Sequence, residues 1–168
     1  MYESILFPTD GSEAADTALD HAVDHARQYD ATLHVLFVAQ DDLGPSGLIH
    51  EARTDVEQSD MVGEHDETQS SGMTNEDTER MGIIAEHGEA VVSEVADAVD
   101  DDVPVETAVL TGAPYERILD YADEASADLL VMGTHGRTGV DRYLLGSVTE
   151  KVVRTADIPV LTVRTGEQ

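Results

Sequence analysis

Two short stretches carry residue types able to do chemistry. Near the start, Pro8-Thr9-Asp10-Gly11-Ser12 places a carboxylate and two hydroxyls at a glycine turn directly after the apolar run Ile5-Leu6-Phe7. Further along, Gly133-Thr134-His135-Gly136-Arg137-Thr138-Gly139 follows the apolar run Leu129-Leu130-Val131-Met132, and Gly146-Ser147 closes the segment. Glycines let a backbone turn tightly and approach a ligand without Cβ clashes. Successive amides in such a turn can surround an anion, and the N-terminus of a following helix adds a favourable dipole. Ser147 with Glu150 three residues later reads as a capping box opening that helix, and Arg137 offers a charge-assisted contact to a phosphate. Glycines also serve plain turns, and neither a Walker A loop nor a Gly-x-Gly-x-x-Gly after the first strand is present. The residues by themselves are therefore compatible with an anion-binding loop or with plain turns, and point to no particular ligand.

The elements that must position these stretches follow from the hydrophobic pattern. Ile5 to Phe7 is a short buried strand. Ala15, Ala18, Leu19, Ala22 and Ala26 then recur at three- and four-residue spacing as one helical face, with Ser12 as its N-cap. Thr32 to Val38 is an almost wholly apolar strand, the pattern of a parallel sheet covered on both faces. Ile84, Val91, Val92, Val95, Ala96 and Val99 predict a long helix, and a third strand runs from Val103 through Leu110. Pro114 suits the first turn of the next helix, lined by Ile118, Leu119, Ala122 and Ala125. Asp128 to Met132 is the fourth strand, Ser147 to Thr155 the fourth helix and Pro159 to Val163 the last strand. Alternating strands and helices imply an α/β fold: an open, mostly parallel five-stranded sheet with helices on both faces, Rossmann-like. In such sheets ligands bind beyond the carboxyl ends of the strands where strand order reverses. Both chemistry-bearing stretches sit at that kind of edge.

Between about 40 and 77 periodicity lapses into Gly, Ser, Asp and Glu, which predicts an acidic surface insertion within one domain spanning 1–168, with a short helix near Leu48 to Val56. Aromatic residues make up only 4% of the chain, so Ala, Val, Leu and Ile must carry the packing. Cysteine is absent, which excludes disulfides and thiolate metal sites. No apolar run nears the ~20 residues that span a bilayer, and no signal peptide is visible, so a cytoplasmic protein is expected. Thirty-six acidic residues oppose nine basic ones, with Lys151 the sole lysine, for a formal charge of −27. That field disfavours nucleic acid and anionic membranes and suits a salt-rich cytoplasm in which self-repulsion is screened. His21 and His25 stand at i,i+4, but no third ligand is fixed and they read as surface histidines. His34 reads as a packed strand residue.

The stretch Gly133-Thr134-His135-Gly136, nine intervening residues, then Gly146-Ser147 resembles the Gly-x2-Gly-x9-Gly-Ser/Thr signature of the ATP-binding universal stress proteins. The opening Ile5 to Ser12, the surroundings of both glycine pairs and the closing Pro159 to Val163 resemble that family as well, over nearly the whole chain outside the insertion. The resemblance implies the adenine nucleotide alpha hydrolase-like fold and binding of ATP, with Mg2+ or Mn2+ as companion. It implies Asp10, with Pro8 and Thr9, near ribose and adenine, and the Val38 backbone against adenine. Met132 and Gly133 would lie against ribose and phosphates; Gly136, Gly146, Ser147, Val148 and Thr149 would cradle phosphate, with His135 and Arg137 in the same loop. It further implies a homodimer joined through Val160 to Val163. Hydrolysis would be weak or absent, since no acid–base pair or catalytic lysine is evident. The competing reading is a dimeric interaction protein that binds no nucleotide and works through its insertion or dimer surface.

Overall fold

The computed structural model describes residues 1–40, 75–134 and 145–164, with backbone alone at 13–14 and 75–78. Five strands, β1 (Ser4–Thr9), β2 (Thr32–Ala39), β3 (Val105–Thr111), β4 (Leu129–Gly133) and β5 (Val160–Val163), alternate with α1 (Glu13–Tyr29), α2 (Asn75–Ala98), α3 (Pro114–Glu124) and α4 (Ser147–Thr155). The strands form one sheet in the order β3-β2-β1-β4-β5, and every pairing is parallel.

Handedness dictates where the helices go. Strand-to-strand crossovers in parallel sheets are right-handed. The chain steps outward from β1 to β3, then returns to the other side of β1 for β4 and β5. Reversing the step while keeping the hand moves the connecting helices to the opposite face. Accordingly α1 and α2 pack on one face with Ile5, Phe7, Leu33, Val35, Phe37, Leu129 and Val131. α3 and α4 cover Leu6, Leu36, Leu130 and Met132 on the other. The three residues Ile5, Leu6 and Phe7 are each fully buried, as a central strand with both faces covered requires.

The five expected strands and the four expected helices that alternate with them are present, with shifted ends. β1 continues through Pro8 to Thr9 instead of stopping at Phe7. α2 begins at Asn75, inside the stretch expected to be irregular up to 77. β3 starts at Val105 and β5 at Val160, each later than the apolar pattern suggested. The remainder of the acidic insertion, 41–74, with its expected helix near Leu48, lies outside the described residues. At the amino-terminal edge, the Asp128 carboxylate accepts hydrogen bonds from the Glu3 and Ser4 amides at 2.8 and 3.2 Å, while its own amide donates to the Ser4 carbonyl. β1 and β4 are thus fastened at their starts.

Scarce aromatics are offset by close approach of helix to sheet. α1 presents Ala15, Ala18, Ala22 and Ala26, all buried. In α2 the same purpose is served by Gly88: a Cβ there would lie 2.7 Å from Phe37 Cδ1 and 2.9 Å from Val109 Cγ1. Both neighbours belong to strands and have little room to retreat. Gly88→Ala should therefore lower stability by about 1–2 kcal/mol despite the better helix propensity of alanine. Urea unfolding at fixed KCl checks this, and equal or greater stability would refute the close-approach account.

Candidate functional site

Strand order reverses between β1 and β4, so the crevice beyond their carboxyl ends is where an open α/β sheet can admit a ligand. The pairing itself opens there. β1 stays paired with β2 as far as Thr9↔Phe37, whereas its pairing with β4 covers only Ile5↔Leu129 and Leu6↔Leu130. The Ser4 carbonyl accepts from Asp128 on the β4 side, and the two-residue period of a strand turns Leu6 and Pro8 the same way. Proline has no amide to donate, so the ladder ends where Pro8 faces β4. A strand-interior proline thereby opens the mouth of the site.

The turn after β1 is fixed by its own side chains. The Gly11 amide donates to Thr9 Oγ1 at 3.1 Å and the Ser12 amide to Asp10 Oδ1 at 3.1 Å. Gly11 has φ +72°, a conformation that glycine adopts without strain. Thr9 is buried and serves this turn, while Asp10 stands half-buried at the mouth. Ser12 is the N-cap of α1 in extended conformation, and its carbonyl accepts from the Ala15 and Asp16 amides. Its hydroxyl makes no cap bond, contrary to the expectation, and Oγ is buried without a partner. On the neighbouring strand, the Thr32 amide donates to the Glu3 carbonyl. Alternation along β2 then aims the Val38 backbone toward β1, one residue past the last paired position.

The β4 side is organised by α4. Met132 is buried in the α3/α4 cluster, so only its backbone reaches the mouth. The Gly133 carbonyl accepts from Thr149 Oγ1 at 3.0 Å, and the Thr134 amide donates to the Val163 carbonyl at 2.9 Å. The Gly146 amide donates to the Thr134 carbonyl at 2.7 Å. That amide is already committed, so Gly146 shapes the turn without offering a donor. Gly146 is also the N-cap of α4, in extended conformation, with its carbonyl accepting from the Glu150 amide at 2.9 Å. Ser147 is consequently the first helical residue and forms no capping box; Glu150 pairs instead with Arg154 at 2.9 Å. The correction favours a ligand. The amides of Ser147, Val148 and Thr149 precede the first intrahelical bond, and the Ser147 side chain is exposed at the positive end of the helix dipole.

The structure therefore places Pro8, Thr9, Asp10, Val38, Met132 and Gly133 at the carboxyl ends of β1, β2 and β4, and Gly146, Ser147, Val148 and Thr149 at the start of α4. His135, Gly136 and Arg137 lie outside the described residues. The Thr149 side chain has a separate role: its buried hydroxyl straps α4 to the end of β4. No sequence signal announces this role, because the partner is a carbonyl 16 residues away. Among the described residues no group of three or more His, Asp or Glu could hold a metal. His25 Nδ1 donates to the His21 carbonyl at 2.7 Å, one turn back on α1. His34 is buried, 3.4 Å from Tyr121 Oη and 3.6 Å from Glu106 Oε2, as a packed strand residue. Burial, followed by the Glu106 and Glu124 charges, raises the Tyr121 pKa above its ordinary value. Among the described residues no helix is long and apolar enough to cross a membrane.

Comparison with known proteins gives a consistent picture. The model of the universal stress protein family matches residues 1–164. Universal stress protein MJ0531 of Methanocaldococcus jannaschii is 32% identical over 166 residues, covering 98% of this chain and 83% of the relative. Universal stress protein MJ0577 of the same organism is 31% identical over 98% of this chain and 96% of its own. The solved structure of MJ0577 superposes with a TM-score of 0.76 at 25% identity, covering 100% of this chain and 99% of that one. A universal stress protein solved in complex with cAMP shares the fold, with a TM-score of 0.61 at 23% identity over 98% of each chain.

The strap makes a separable prediction. Thr149→Val keeps the shape and deletes the hydroxyl, leaving the Gly133 carbonyl without its donor; stability should fall by about 1–2 kcal/mol. Thr149→Ser should retain most of it. Chemical denaturation of the two variants decides, and an unperturbed valine variant would remove the strap.

Proposed function

The chain belongs to the universal stress protein family, and on that premise we propose that it binds an adenine nucleotide, ATP above all, as a stress-response or signalling protein with slow or no hydrolysis. One observation carries the reading: the Ser147, Val148 and Thr149 amides stand without intrahelical acceptors at the N-terminus of α4, beside the β1–β4 switch point. Helix N-termini of this kind bind phosphate through amides and dipole together. Phosphates would lie on these amides and the Ser147 hydroxyl, with ribose and base extending past Asp10 toward the Val38 backbone. His135, Gly136 and Arg137 complete the family's loop in sequence. Mg2+ or Mn2+ would accompany the nucleotide and moderate its repulsion from a chain of charge −27. The fold-related protein solved with cAMP makes adenine nucleotides the class to test first.

β5 ends the sheet order, Val160, Leu161 and Thr162 are each half-buried, and nearby Val153 is 47% exposed. An apolar edge strand needs cover, which supports a homodimer seam through Val160 to Val163. The acidic excess supports operation in a salt-rich cytoplasm. Thermal stability should accordingly rise with KCl and level off near 1 M, where the Debye length is ~3 Å. A melting temperature flat from 0.1 to 2 M KCl would remove the halophilic part alone.

The site is tested by replacing one amide. Gly146 has φ −57° and ψ 150°, a conformation suited to the residue before proline, and Ser147 occupies the first helical position where proline is favoured. Ser147→Pro therefore deletes an amide and a hydroxyl without unfolding α4. Calorimetric titration with Mg-ATP, Mg-AMP and cAMP in molar KCl should show binding to the parent chain. Affinity should be about tenfold weaker in Ser147→Pro and less affected in Ser147→Ala. A parent chain that binds none of the three refutes the nucleotide reading and leaves the interaction-protein alternative.

A further inference from the structure

Lys151 is the sole lysine of the chain, and it lies on α4 one turn beyond Ser147. Its ammonium sits 4.6 Å from the centre of the Tyr115 ring. Of the described arginines, Arg27, Arg117 and Arg154 pair with a carboxylate, while the exposed Arg80 and Arg164 do not. Lys151 makes no such pair among the described residues, in a chain where acids outnumber bases 36 to 9. Unlike the two exposed arginines, Lys151 is seated on an aromatic face, which fixes its place without a direct carboxylate partner.

Its location is informative. Side chains on a helix lean toward the N-terminus, so Lys151 leans toward the turn that carries the Ser147, Val148 and Thr149 amides. Tyr115 marks the same height from the other side, being the second residue of α3, directly after the β3 carboxyl end. Tyr115 and Val148 pack into one cluster between α3 and α4. The ring is itself held, since Tyr115 Oη donates to Glu116 Oε1 at 2.7 Å. That bond, reinforced by the Glu116 charge, raises the phenol pKa and keeps the proton in place.

We propose that Lys151, seated on Tyr115, supplies the cationic contact to the outer phosphates of a nucleotide on the N-terminus of α4, and so sets a preference for ATP over AMP. This rests on the nucleotide reading above and adds the group that distinguishes phosphate number. A mere clip between α3 and α4 would affect stability and leave that preference unchanged.

The single lysine permits a direct test on the full chain. Reductive methylation with 13C-formaldehyde labels Lys151 and the amino terminus while keeping their charge. Mg-ATP should shift the Lys151 dimethyl resonance, and Mg-AMP at saturation should leave it nearly unmoved. Calorimetry at one fixed KCl concentration should show Lys151→Met weakening ATP about tenfold and AMP less than twofold, with Lys151→Arg close to the parent. Tyr115→Leu, which removes the seat, should lose part of the same preference. An unchanged ATP-to-AMP ratio in Lys151→Met, with a Lys151 resonance indifferent to ATP, overturns the proposal while nucleotide binding persists. A parent chain that binds no adenine nucleotide overturns both together.

Discussion

The crevice depends on how β1 is held. It is the middle strand, parallel to both neighbours, and it is fastened to β4 at its start by the Asp128 carboxylate. It is released from β4 at its end, where the pairing stops after Leu6 and Pro8 has no amide to offer. On the other side it remains paired with β2 up to Thr9. Anchoring at one end and release on one side at the other leave β1 and β4 unpaired beyond Leu6, in a position fixed by the sheet. That opening coincides with the reversal of strand order, so both the turn after β1 and the N-terminus of α4 face it. Rigidity below and openness above arise from the same strand.

Around that opening, the disposition of backbone donors distinguishes scaffold from site. Gly11 and Ser12 give their amides to Thr9 and Asp10, and Thr134 and Gly146 give theirs to Val163 and Thr134. Each of these bonds fixes the approach of a loop to the sheet, and none is available to a ligand. Thr149 adds a side-chain strap from α4 to the last carbonyl of β4. Among the described residues of this edge there remains the first turn of α4, whose amides cannot be satisfied within the helix by geometry alone. The donors left over are therefore grouped, aligned and held on a helix whose start is pinned in several places. Such preorganisation lowers the ordering cost of binding an anion.

Much of this was legible in the sequence because it depends on period and composition. The alanine face of α1 and the apolar runs of β1, β2 and β4 required only local spacing, and those residues are buried except Leu19 and Val38, which are half-buried. The parallel sheet followed from alternation of elements, whereas the order β3-β2-β1-β4-β5 depends on long-range pairing that no local pattern encodes. The misreadings were local rules overridden by backbone geometry. Pro8 reads as a terminator, yet it is accommodated inside β1 because the side it faces is where pairing ends. Ser147-x-x-Glu150 reads as a capping box, yet Gly146 takes the extended N-cap position and moves Ser147 into the helix. Asp128 and Thr149 act through partners 124 and 16 residues away, and no window of sequence contains both members of such a pair.

Charge raises a different question, because the proposed ligand is an anion and the chain carries a formal charge of −27. Several of the described cations are at junctions between elements. Arg27 pairs with Asp100 and Asp102, joining the end of α1 to the turn before β3. Arg117 donates to the Thr111 carbonyl at 3.0 Å and crowds Gly112, holding the turn between β3 and α3. Exposed pairs of this kind contribute little stability each, and less in concentrated salt. Their geometric effect survives screening, because a short hydrogen bond fixes direction as well as charge. The contacts to a phosphate at α4 would be short in the same way: amide to oxygen, inside the distance over which salt acts. Concentrated salt would then suppress the long-range repulsion from thirty-six carboxylates while leaving the contact interactions in place. An acidic surface and an anion site are compatible on that condition.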